Sequence, residues 1–145
     1  MKKLLLNLLV LSGMVPALYG ASLVWVPSSA LWDTTSFNWS NTVTASSTTF
    51  VGGDSVRFDD EGLTQPLVRF VGTLTAGDVV VDSSGDYLFR TNTTSTEGIS
   101  SLTSLTKRGT GKLTVEADNS FSGPVSIEDG TLQIGNASAR GSLGT

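Results

Sequence analysis

Beyond residue 52 the chain is written in short runs whose apolar and polar positions alternate. Val56 and Phe58 mark the first such run, then Val68 and Phe70, Val79 and Val81, and Tyr87 and Phe89. After a gap the pattern resumes with Leu113 and Val115, Val125 and Ile127, and Leu132 and Ile134. Alternate side chains of a strand face opposite sides, so each run offers two apolar residues to a core and polar ones to water. The gap contains Ile99, Leu102 and Leu105, whose spacing predicts one or two further strands. Turn formers separate the runs: Gly53-Asp54, Glu61-Gly62, Ser84-Gly85-Asp86, Asp118-Asn119-Ser120 and Asp129-Gly130.

Many short strands of this kind fit an antiparallel β-sandwich or a solenoid that stacks parallel strands. Hairpins favour two-residue Asn-Gly or Asp-Gly loops. Only Asp129-Gly130 offers one between adjacent runs. The remaining turns read as corners, where Gly, Asn and Asp take the left-handed conformation at little cost. The pattern therefore predicts an all-β chain with a right-handed parallel β-helix, the β-sandwich being the alternative.

Upstream of residue 53 the pattern is different. Residues 1–20 read as a signal peptide: two lysines, the apolar run Leu4 to Leu11, then small residues and Pro16. Only 15 residues separate Leu4 from Leu18 inclusive, fewer than the roughly 20 apolar residues of a spanning helix. Cleavage is expected between Gly20 and Ala21. Residues 21–52 form a Ser/Thr-rich segment with Trp25, Trp32 and Trp39 seven residues apart. These indoles have two readings, as sugar-stacking platforms or as cover for the first rung of residues 53–145.

Composition removes whole classes of chemistry. With no Cys and no His, disulfides, thiolate nucleophiles, Ser-His-Asp triads and the usual zinc ligands are excluded. The 20 Ser and 19 Thr favour strands and polar turns over helices. A net charge of −4, with two of nine cations in the first three residues, argues against a nucleic-acid partner. Asp59, Asp60 and Glu61 form the densest acidic group. Adjacent carboxylates on an extended chain diverge, so a solvated loop is favoured over a calcium site. Lys107, Arg108 and Lys112 read as a basic patch on solvated strand edges that discourages unwanted pairing. No catalytic residue, metal ligand or cofactor site is predicted.

The segment Leu105 to Gly144 closely resembles the autotransporter-associated β-strand repeat, also called the passenger-associated transport repeat. Leu105, Thr106, Lys107, Gly109, Gly111 and Leu113 fill the first section of that motif; Asn119, Gly123 and Ile127 fill the second; Gly130, Leu132, Ile134 and Gly135 fill the third. Val115, Phe121, Pro124 and Val125 depart from the usual residues at their positions. The resemblance implies a β-helical passenger of bacterial secreted or surface proteins without catalytic residues. Leu113, Val115, Val125, Ile127, Leu132 and Ile134 are then expected to point inward, with Gly109, Gly111, Gly123 and Gly130 at corners. The expected function is a non-enzymatic exported structural repeat serving surface display or adhesion. Its alternatives are a carbohydrate-binding module using Trp25, Trp32 and Trp39, or a truncated remnant of a larger autotransporter-like protein. Expected partners are a surface glycan or a second copy joined through the C-terminal coil.

Overall fold

The computed structural model describes residues 20–144; the expected signal peptide, apart from Gly20, lies outside the described residues. Within them the chain is all-β. The short apolar-alternating runs form strands because each has an inward and an outward face, and each ends where a Gly, Asn or Asp turn interrupts the alternation.

The strands gather into three open sheets. The largest is built on β1 (Ser22–Trp25), β5 (Ser55–Phe58), β8 (Asp78–Asp82), β11 (Ser104–Arg108) and β13 (Val125–Ile127), each parallel to the next. On its outer edge β3 (Trp39–Asn41) and β4 (Ser47–Thr48) pair antiparallel. A second, wholly parallel sheet runs β2 (Leu31–Trp32), β6 (Leu67–Phe70), β9 (Tyr87–Thr91), β12 (Lys112–Val115) and β14 (Thr131–Ile134). The third pairs β7 (Thr73–Thr75) with β10 (Gly98–Ser101) in parallel. Asp60–Thr64 forms a 3-10 helix capped by Asp59. Among the described residues no helix is long and apolar enough to cross a membrane.

Every alternating run read from the sequence is a strand, and the Ile99–Leu105 gap holds two, β10 and β11. The ladders are overwhelmingly parallel, unlike the hairpins of an antiparallel sandwich. The segment 21–52 does more than cover a rung. It contributes β1 and β2 to the two large sheets and adds β3 and β4 at the edge.

Register stacks apolar residues in columns. Leu23, Val56, Val79, Leu105 and Val125 face one another along the first sheet. Val68, Phe89, Val115 and Ile134 do so along the second, beside Tyr87, Leu113 and Leu132. Leu74 and Ile99 do so in the third. Most of these side chains are buried in one continuous core, since no single short strand can bury its own apolar face.

The last strands depart from expectation. Val125, Ile127 and Ile134 were expected inside but are 39%, 55% and 42% exposed, and Leu132 is half-buried. Each of β13 and β14 has a strand neighbour on one side alone among the described residues, so half of each apolar contact surface has nothing against it.

Candidate functional site

The repeat segment begins at β11, where alternation places Leu105 and Lys107 on the same inward face. Lys107 is fully buried, in register between Val81 and Ile127. A solvated edge was the expected setting, so that reading is corrected: Lys107 shares the parity of Leu105, and the sheet edge passes through other residues. Its Nζ donates to the Arg108 and Gly109 carbonyls, the latter at 2.7 Å, and lies 3.5 Å from that of Asp129. Burial pushes the ammonium below its ordinary pKa, opposed by the charges of Asp129, Asp82 and Asp86. A buried amine of lowered pKa is often a nucleophile. This one is closed from solvent and aimed at carbonyl acceptors, which makes it a clamp across two turns.

Those two turns approach each other so closely that the glycines have no substitute. Gly130 sits at φ +72°, and a Cβ there would lie 2.4 Å from the Gly109 and Gly111 carbonyl oxygens and 2.8 Å from Lys107 Nζ. Gly111 faces the backbone of Gly85 in the same way. Gly109 and Gly123 lie against the Ser83 and Leu102 backbones.

Farther along, the buried Asn119 joins three levels of the fold. Its Oδ1 accepts from the Ile99 N–H at 2.8 Å, while its Nδ2 donates to the carbonyls of Ser142 (2.8 Å) and Ala117 (3.2 Å). Leu113 is fully buried. The motif residues therefore do not converge on a cleft; they are distributed through the interior and the corners.

The other candidates are also occupied. Arg108 forms a bidentate pair with Glu128, and Lys112 lies 4.0 Å from Asp86, so with Lys107 buried the expected basic patch is not one surface. Asp59 caps the 3-10 helix and pairs with Arg57 at 2.8 Å, while Asp60 accepts from the Ser84 N–H and hydroxyl. Asp60 thus ties the 3-10 helix to the turn between β8 and β9.

Trp25, Trp32 and Trp39 are buried to 1% exposure or less. They meet edge to face, Trp25 on Trp39 at 4.9 Å and Trp32 on Trp39 at 5.3 Å, and are joined by Phe50, Phe58 and Phe70. The sugar-platform reading is corrected: no indole presents a face to a ligand, because all three fill the interior between the sheets. The Nε1 atoms of Trp32 and Trp39 have no hydrogen-bond acceptor among the described residues.

A cleft of about 260 Å³ is lined by Arg90, Thr91, Ser95, Glu116, Asp118 and Arg140. Glu116 is engaged within it, accepting from Asn136 Nδ2 and lying 3.9 Å from Arg90 Nε. Sequence reasoning gave no signal for this cleft, because its residues come from four separate stretches of chain.

No curated protein and no solved structure matches the chain. One family model does, over residues 105–134, and its description is passenger-associated-transport-repeat. The lysine clamp, the tight glycine corner and the strands β11 to β14 fall in that segment, so residues 105–134 match the passenger-associated transport repeat in sequence.

Proposed function

We propose that this chain is a non-enzymatic, exported structural module, a right-handed parallel β-helix that serves surface display or adhesion. The observation that carries the reading is the use made of the repeat's own residues: Lys107, Gly111, Asn119 and Gly130 are consumed in joining one coil to another. The helical path is supported by parallel ladders in three sheets, between which successive strands pass from β5 onward. The right hand follows from the chirality of parallel strand connections. Export is supported by the leader-like residues 1–20 and by the repeat. Surface partners are a second copy, met through the exposed edge of β13 and β14, or a surface glycan bound without the tryptophans.

The test is protease shaving of intact cells that produce a full-length chain tagged in the loop Val43–Ser46, followed by cell-binding assays with and without the gene. Loss of the tag from intact cells together with reduced binding supports display and adhesion. A tag retained in the cytoplasm overturns export.

A further inference from the structure

Asp54 stands at the turn entering β5 and is only 5% exposed. Its Oδ2 accepts from the Val51 N–H at 2.9 Å, and its Oδ1 accepts from the Ala21 N–H at 2.6 Å. No Lys or Arg pairs with it among the described residues. The nitrogen of Ala21 is held in place by the ladder that starts beside it. The Ala21 carbonyl accepts from the Ser55 N–H at 2.8 Å, and Ser22 stands opposite Ser55. The carboxylate is held as firmly, because the Gly77 N–H donates to the Asp54 carbonyl at 2.8 Å and the Gly53 N–H to that of Thr75 at 3.1 Å. Gly20 is exposed and lies against Gly53, where a Cβ would come within 2.1 Å of its carbonyl oxygen.

We propose that Asp54 is the receptor for the α-ammonium that leader removal creates at Ala21, so the mature chain gains an ion pair that its precursor lacks. The proposal rests on the cleavage reading of Gly20–Ala21. Hydrolysis breaks the Gly20 C–Ala21 N bond; water supplies OH to the Gly20 carbonyl carbon and H to the nitrogen. The resulting amine takes a further proton from solvent. A neutral N–H donor thereby becomes a cation at an unchanged position, already within hydrogen-bond reach of a buried carboxylate. Hydrogen bonds between charged partners are shorter and roughly twice as strong as neutral ones. Position matters, because a chain starting one residue earlier carries its ammonium about 3.8 Å away, one Cα step. Cleavage thus fixes the start of β1 and the first coil with it.

Two chains test this, one released to begin at Ala21 and one beginning at Gly20, each as wild type and as Asp54→Asn. In urea titrations Asp54→Asn should raise the unfolding equilibrium constant about five- to tenfold more in the Ala21 chain, the difference between a charged and a neutral hydrogen bond. N-terminal acetylation leaves Asp54 intact and supplies a second measurement if Asp54→Asn does not fold. It should destabilise the Ala21 chain and leave the Gly20 chain nearly unchanged. Equal effects in the two chains overturn the ion pair. Mass spectrometry of the exported protein tests the cleavage reading separately: a first residue other than Ala21 overturns that reading and, with it, the coupling to processing.

Discussion

Lys107 illustrates how one residue's parity decides its energetics. A charged residue in a period-two run invites the assumption that it faces water, yet Leu105 and Lys107 share a face, and that face is the core. Lys107→Ala should therefore destabilise the chain by about 1–3 kcal/mol, because the Arg108 and Gly109 carbonyls lose a buried donor. Gly130→Val should lose a similar 1–3 kcal/mol through backbone strain at positive φ. Denaturant titration of both against wild type checks this pair, and a neutral Lys107→Ala would remove the clamp. Glu97 gives a pH prediction. The backbone N–H groups of Thr94 and Thr93 hold its carboxyl at a pKa of about 2, against an ordinary 4.5. Its folded-state pKa is depressed, so its contribution is full above pH 4.5 and is lost as pH falls toward 2. Glu97→Gln should lower the melting temperature at pH 7, and the gap from wild type should close by pH 2. A gap that stays constant across that range would show that the loop is not held by the charge.

At the scale of elements, strands beyond residue 52 were legible wherever two apolar residues alternated, because that pattern builds a half-buried strand; β1, with Leu23 and Trp25 alternating, was missed in its Ser/Thr-rich surroundings. β7 was missed, since Leu74 is its single apolar residue, flanked by threonines. β2, β3 and β4 were hidden by shortness and by Ser/Thr density. The tryptophan spacing was visible, but seven residues means nothing for stacking until turns at Pro27 and Asp33 fold the segment back on itself. The Asn119 bridge was illegible because Ile99 and Ser142 lie 20 and 23 residues away, and the clamp because the burial of Lys107 depends on strands β8 and β13 on either side. Trp32 is fully buried among aromatic rings, so Trp32→Ala should destabilise by about 3–5 kcal/mol, the usual loss for a buried large aromatic. Before that loss, all three tryptophans of the folded chain should resist acrylamide quenching. Quenching as efficient as that of free tryptophan would place them at the surface.

For the molecule as a whole, the two ends of the stack differ. On the first sheet the outer edge is covered by β3 and β4, while β13 and β14 leave Val125, Ile127 and Ile134 exposed. Unpaired edges with apolar residues beside them promote association. Residues 21–145 should therefore form concentration-dependent assemblies in light scattering, and Ile127→Lys should shift them toward monomer by placing a charge on that edge. Monodisperse wild type at high concentration would mean that the edge is not a contact surface.

The concentration of aromatic rings in the early coils sets an order of opening. Amides in β1, β5 and β6 lie over Trp25, Trp32, Phe58 and Phe70, whereas those in β13 and β14 have thin aliphatic cover. Local opening free energies follow buried contact density. Deuterium uptake should thus proceed as a front from Ile134 back toward Trp25, and the N-terminal strands should be the last to exchange. Uptake that is uniform from β1 to β14 would show that the aromatic rings do not set the order.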